Sequence, residues 1–546
     1  MLFKKRISIL SSIVIIGSLI GGCNMDKESK SINSEELMAN TNARKAILMA
    51  IDKEDFVDVI LNDGSTVADY FVPRRLATDE NQNDYRDYAG NLAYDSNDEK
   101  AKEEWKKAKD ELGFETVNLD IVLSDNEVNK KLGEYVQEEL SILDGINVKI
   151  KQVPFKQLLD SQDKGEFDIS FGGWGPDYPD PLTYLATFAN NSSYGESVGY
   201  NSKEYEELLE KGKNSKTTDE SWKYYKEAEK LLLEDAYLSP VYQRGVSYLQ
   251  KNYVSGIVVS NFGPKYSYKW ADVDKDDKTL NISSTADITI LDGAKIKDAL
   301  TREITLNVME GLVRLDKDLN VVGGIAKDWN TSEDGKTWTF NIRDDAKWSN
   351  GEKITAHDFE YSFKRTLTPE TGCENSSVFY DIVGAEDYNL SKNKDMNSVG
   401  IKAIDDSTLE INLIRPVPYF DKLLSHPIFA PQNQAFVEEK GELFGTSIEN
   451  TLFNGPYILS GWKMEDQYNM KKNDNYWDKE SVKLETINTK VVKDSNAALN
   501  LYQAGEIDRT NLAAEQVDKY KDSEEFGTEL DCVTYFLLLN AENREK

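Results

Sequence analysis

The alternation of apolar and polar positions is clearest between residues 118 and 173. Residues 118–124 read Asn-Leu-Asp-Ile-Val-Leu-Ser, an apolar run of the length of a buried strand. Val128, Leu132, Val136, Leu140 and Leu143 then recur at helical spacing over residues 126–143, and Asp144-Gly145 turns the chain. Ile146, Val148 and Ile150 alternate as a second strand. A short helix from Phe155 to about Ser161 follows, then a third strand, Phe167-Asp-Ile-Ser-Phe171. This βαβαβ order predicts three parallel strands joined by right-handed crossovers. Farther upstream, Ala101, Trp105, Ala108 and Leu112 fall on one helical face closed by Gly113, a core-facing helix among solvated Lys/Glu runs. Mixed α/β structure is expected in both halves of the chain.

In open parallel sheets, ligands bind just beyond the carboxyl ends of the strands. The residues standing there are Gly172-Gly173-Trp174-Gly175-Pro176-Asp177-Tyr178-Pro179-Asp180-Pro181. Their glycines and prolines make a stiff loop that can bring backbone close to a ligand. Trp174 and Tyr178 offer flat apolar surface, and Asp177 offers a fixed negative charge for a cation. The plainer alternative is a turn with packed aromatics and solvated acids. Placement after the third strand favours a site.

At the N-terminus, Lys4, Lys5 and Arg6 precede an almost unbroken apolar run of about 14 residues, Ile7 to Ile20. That is too short to span a bilayer of about 30 Å as a helix but suits a signal-peptide core. It ends in Leu19-Ile20-Gly21-Gly22-Cys23. This resembles the bacterial lipobox, whose cysteine becomes the lipidated first residue of the mature protein; an ordinary cleaved signal with an incidental cysteine is the alternative. Residues 1–22 are thus expected to be a lipoprotein signal and residues 23–39 a polar tether. No later stretch is apolar enough to cross a membrane.

Composition narrows the function. A length of 546 residues calls for more than one core. The 28 Tyr and 9 Trp argue against disorder and supply amphipathic surface for a polar ligand. A net charge of −32, more negative once the signal's three cations are removed, argues against nucleic acid as a partner and against free attraction to anionic lipid. Beyond Cys23 only Cys373 and Cys532 remain, and the sequence leaves open whether they pair. The two histidines, His357 and His426, stand far apart, and His426 in Leu-Leu-Ser-His-Pro reads as a packed side chain. With no GxSxG, HExxH, Walker loop or dinucleotide fingerprint, we expect no enzyme, no cofactor and no metal.

Residues 173–178, Gly-Trp-Gly-Pro-Asp-Tyr, resemble the GWxxDY loop of bacterial extracellular oligopeptide-binding proteins, the peptide-binding branch of transporter substrate receptors. A second block is similar to the family's signature region: Ser332-Glu-Asp-Gly-Lys-Thr-Trp-Thr-Phe340, Ala346-Lys-Trp-Ser-Asn-Gly351 and Thr355-Ala-His-Asp-Phe359. Glu310-Gly-Leu312, Pro416-Val-Pro-Tyr-Phe420, Asn454-Gly-Pro-Tyr457, Gly505-Glu-Ile-Asp508 and Ala46-Ile-Leu-Met-Ala-Ile-Asp52 extend it from about residue 40 to the end. The order differs from the family's. There, the stretch like 279–540 comes first and the stretch like 40–273 follows.

The resemblance therefore implies a two-lobed, type II periplasmic-binding-protein-like α/β fold with an extra accessory domain, in circularly permuted order. It places one ligand-binding lobe at 40–240, a main lobe at 241–309 plus 457–546, and the accessory domain at 310–456. Two lobes closing on an extended peptide supply strand-like hydrogen bonds, and wet pockets accept varied side chains. Within the loop that also holds Gly173 and Tyr178, the resemblance gives Asp177 the ligand's α-ammonium and Trp174 the backbone beside it. Ala299, Leu300 and Thr301 would line the other wall, an ordinary helix start being their alternative. Positions that hold a peptide's carboxylate in some relatives match Leu61, Asn129, Gln162 and Phe171, all uncharged, which argues against tight length selection. The implied partners are short peptides, the permease subunits of an ABC transporter and, through a lipid on Cys23, the extracellular face of the membrane or the periplasm. The protein would act as a monomer. A receptor for a dipeptide, a signalling peptide or a metal chelate, and an adhesive lipoprotein without uptake, are the rival readings. The acid at 177 favours a free amino terminus, and the scarcity of histidine weighs against metal.

Overall fold

The computed structural model describes residues 30–190 and 192–541; the expected signal segment and Cys23 lie outside them. The βαβαβ unit is present as β1 (Thr116–Ser124), α1 (Glu127–Leu140), β2 (Ile146–Val153), α2 (Phe155–Asp163) and β3 (Ile169–Trp174). The chain then runs along β4 (Leu238–Gln250), through a turn at 274–278 into β5 (Thr279–Ser284), α3 (Ala299–Val308) and β6 (Thr486–Val491). It closes with β7 (Phe526–Leu539). β1 pairs in parallel with β2 from Val117↔Ile146 to Ser124↔Val153, and with β3 at Ile121↔Ile169. α1 buries Leu132, Val136 and Leu140 against this sheet, whereas Val128 is exposed.

One expectation needs correction. Local pattern ends the third strand at Phe171, yet β3 continues through Gly172, Gly173 and Trp174. The reason is a partner from the other end of the chain: β7 pairs antiparallel with β3, Gly173 opposite Tyr535 and Trp174 opposite Thr534. β7 in turn pairs with β4, giving the order β2-β1-β3-β7-β4. Phe536 and Leu538 point into the cluster holding Phe71, Tyr184 and Trp222, while Leu537 and Leu539 point into the one holding Ile47, Phe56 and Leu132. Burial on both faces explains why residues 535–539 are apolar without alternation.

β4 and β7 extend beyond this first lobe. Their far halves pair again from Phe526↔Leu249 to Leu530↔Gly245, and the ladder breaks between Leu530 and Thr534. There Leu249 and Phe526 join a cluster with Tyr502 and Leu512, beside a main lobe in which β5 and β6 pair in parallel. Leu280, Ile304, Val308 and Ile487 form the main lobe's core with α3. A further body carries a four-stranded antiparallel sheet under the helix Ala356–Leu367, with Phe340, Phe359, Phe363 and Leu409 buried between them. The molecule is thus a two-lobed α/β fold with an added body, its lobes joined by two long strands.

Candidate functional site

A cavity of about 540 Å³ lies where the lobes, the crossing strands and the added body meet. The first lobe contributes Gly175, Pro176 and Asp177; the break in β7 contributes Asp531, Cys532 and Val533; α3 contributes Ala299, Leu300, Arg302 and Glu303. Asp177 stands three residues past β3, its backbone N–H donating to Thr183 Oγ1 at 3.0 Å. Its side chain opens to the cavity while protein encloses it on other sides. That enclosure raises the carboxyl pKa above the ordinary value, and the Arg302 guanidinium opposes the rise.

Half of the wall's charged side chains neutralise one another. Arg244 donates to Asp531 at 2.7 Å, and Lys265 reaches Asp531 at 2.8 Å and Glu529 at 2.9 Å. Asp177, Arg302 and Glu303 have no such ion pair among the described residues. The Arg302 guanidinium donates to the Lys297 carbonyl, at 3.0 Å. Glu303 accepts the Tyr266 N–H at 3.3 Å, and burial pushes its carboxyl up to about 8. A cavity that leaves two acids and one guanidinium without an ion pair suits a ligand carrying both signs of charge.

The residues expected at the site divide into two groups. Asp177, Ala299 and Leu300 share the cavity wall. Gly173, Trp174, Tyr178 and Thr301 lie behind it. Gly173 is an approach point, since a Cβ there would stand 2.7 Å from the Tyr535 ring. Trp174 meets Tyr194 edge-on at 6.1 Å, and its carbonyl accepts the Tyr184 hydroxyl. Tyr178 stacks on Tyr419 of the added body, 5.2 Å apart and within 5° of parallel. Thr301 is fully buried; its N–H donates to Asp298 Oδ1 and its hydroxyl accepts the Thr289 N–H. Leu61, Asn129, Gln162 and Phe171 are outside the wall: Leu61 is buried, Asn129 donates to Ser124, Gln162 to Ser170, and Phe171 stacks on Tyr535.

Sequence inspection missed Arg302 and Glu303, although the helical period from Ala299 brings both to its face. It missed Arg244 and Asp531 for want of any local signal. His426 lines the cavity, but its Nδ1 accepts the Ile428 N–H at 3.2 Å, and burial pushes its pKa down to about 3, so it is neutral. Cys532 is also in the wall. Burial raises its thiol pKa, and both it and Cys373 are free thiols.

Residues 21–196 and 320–545 match the family described as bacterial extracellular solute-binding proteins, family 5 Middle. The chain is 39% identical over 234 residues to the dipeptide-binding protein DppE of Bacillus subtilis (strain 168), covering 43% of each protein. It is 35% identical over 239 residues to the oligopeptide-binding protein OppA of the same strain, covering 44% of each. A solved structure of an oligopeptide ABC transporter's substrate-binding domain from Bacillus anthracis is 42% identical. That match covers 46% of this chain and 48% of the other, with a TM-score of 0.45. The matched stretches span under half the length of these relatives.

Proposed function

The chain belongs to the bacterial extracellular solute-binding proteins of family 5, and from that premise we propose that it captures short peptides for import by an ABC transporter. Members of such a family bind solutes and are not enzymes. The observation that carries the reading is the free carboxylate of Asp177 facing the interlobe cavity. A peptide's α-ammonium supplies the missing cation, and Arg302 offers a counterpart for negative charge on the ligand. At about 30 Å³ per water, 540 Å³ holds about eighteen waters, comparable to a tri- or tetrapeptide. Relatives named for dipeptide and for oligopeptide binding fit that range.

The mature protein would stand as a monomer on the outer face of the membrane or in the periplasm, held by a lipid on Cys23, and dock on permease subunits. Cys23→Ser should then abolish lipid labelling and membrane retention; unchanged retention would remove Cys23 from that role. We assign 40–240 to one lobe, 241–309 with 457–546 to the main lobe and 310–456 to the accessory domain, with β7 from Cys532 onward packing into the first lobe. The permuted order is also part of the proposal. It is supported by the meeting of Leu539 and Arg44 at residues 235–237.

Native mass spectrometry of the purified mature protein tests the function. A bound species that dissociates and sequences as a short peptide is the expected result. A protein that carries none, and that binds no member of a di- to pentapeptide panel by calorimetry, refutes the proposal.

A further inference from the structure

α3 separates two spaces. Ala299, Leu300, Arg302 and Glu303 face the interlobe cavity. Leu300, Glu303, Ile304 and Asn307, three and four residues apart, face a second cavity of about 170 Å³ between the helix and the sheet of β5 and β6. Leu300 and Glu303 belong to both walls, so the Glu303 carboxyl group stands where one space adjoins the other. The second cavity is walled by the rings of Tyr266, Tyr268 and Tyr468 and by Thr489. Thr489 is 1% exposed, and its hydroxyl lies beside the Tyr468 phenol.

The charges around Glu303 leave it open to a cation from outside. Lys265 is held by Glu529 and Asp531, and Arg509 is held by Glu529 at 2.7 Å. Arg302, next in the chain, faces the interlobe cavity and acts on Asp177. Tyr266 gives Glu303 one backbone N–H, and the Tyr268 phenol lies beside it.

We propose that the second cavity is a specificity pocket for a lysine or arginine side chain of a peptide lying in the interlobe cavity, with Glu303 as its counter-charge. The inference rests on the peptide-binding reading above. A space of 170 Å³ holds about five or six waters, as many heavy atoms as a lysine side chain has. Ile282, Leu300 and Met470 offer apolar contact to its stem. Tyrosine faces attract the cationic end. Because burial holds the Glu303 carboxyl near 8, with Lys265 and Tyr268 pulling down and Glu529 pushing up, it is mostly protonated at neutral pH. Entry of an ammonium or guanidinium group therefore expels that proton to solvent, leaving a carboxylate–cation pair.

The test uses calorimetry on the full mature protein with trialanine, its three single-lysine variants and the matching norleucine peptides, which keep the chain length without the charge. We expect one lysine position to bind at least tenfold tighter than its norleucine counterpart. Binding there should release close to one proton at pH 7, read from titrations in two buffers of different ionisation enthalpy. Glu303→Gln should remove both the preference and the proton release, and trialanine titrated into the same variant separates this loss from a general loss of peptide binding. If trialanine binds wild type but lysine and norleucine bind alike at every position, or if Glu303→Gln keeps the preference, the pocket is refuted and peptide binding stands. If no peptide binds wild type, the peptide reading itself fails and the pocket with it.

Discussion

Asp177 and Asp180 sit three residues apart in one loop and meet opposite surroundings. Asp177 faces the cavity without an ion pair, so Asp177→Ala should cost peptide binding about 2–5 kcal/mol while leaving the urea midpoint unchanged. N-acetylating the peptide should cause the same loss in wild type. Equal affinity for free and acetylated peptides would strip Asp177 of this role. Its raised pKa adds a pH signature: affinity for free-amine peptides should decline on acidification at a higher pH than an ordinary aspartate would dictate. Asp180, 6% exposed, accepts the Leu182 N–H at 2.9 Å, and burial pushes its carboxyl up to about 7 despite Arg415 and Lys422 nearby. Its folded pKa lies above the unfolded value of about 4. The stability it contributes is therefore complete below about pH 4 and is lost as pH rises toward 7. Asp180→Asn keeps the acceptor and removes the titration. The variant should exceed wild type by on the order of 2–4 kcal/mol at pH 8, with the gap closing toward pH 4. Equal denaturant midpoints at pH 8 would show that Asp180 is not ionised at a cost.

At the scale of elements, β1, α1, β2 and α2 were legible because each buries a face set by its own local period. β3 was legible only to Phe171. Its last three residues are strand because β7 pairs with them, and no local window contains both. The pairing changes what Gly173 does. Tyr535 is stacked between Phe171 at 5.6 Å and Tyr242 at 4.8 Å and has little room to yield to a methyl group. Gly173→Ala should therefore destabilise the fold by about 1–3 kcal/mol through overpacking, while the folded fraction keeps its peptide affinity. A variant with unchanged melting temperature and weakened binding would instead place Gly173 in ligand contact. α3 makes the same point from the other side. A helix start at 299–301 was marked, but the wall-facing charges are one step further, at Arg302 and Glu303.

For the whole molecule, β4 and β7 carry the paired ladder from one lobe to the other, and their pairing breaks at 531–533 in the cavity wall. A break in the ladder there suits a hinge for closure around a ligand. In the proposed permutation, β7 ends at the junction. The Leu539 N–H donates to the Tyr237 carbonyl at 2.9 Å, while Arg44 donates to the Asp235 carbonyl at 2.8 Å and lies over the Tyr237 ring. A version rejoined from Asn540 to Asn42 and opened before Thr279 restores one covalent crossing without changing a core residue. The opening falls in a turn whose residues 274–277 are exposed. The rejoined protein should bind peptides more tightly, since less freedom is lost on closure. Its ligand-free scattering profile should be narrower. Matching affinity and scattering in the two versions would show that the split strand contributes nothing to closure.

What the sequence by itself determined was local or compositional. Periodicity marked the elements, glycines and prolines marked the loop at a strand end, and the string of motifs marked the family, because each of these is written in neighbouring residues. The tertiary structure alone decided which side chains the cavity receives. Trp174 and Tyr178 have the chemistry of ligand contacts, but Tyr194 and Tyr419 are in place to pack against them. Glu303 and Thr489 have ordinary sequence surroundings. They become the polar groups of one pocket because β5, β6 and α3 meet there. Enclosure, unlike composition, depends on which distant segments come together, and enclosure is what leaves a carboxylate short of partners and ready for a ligand's charge.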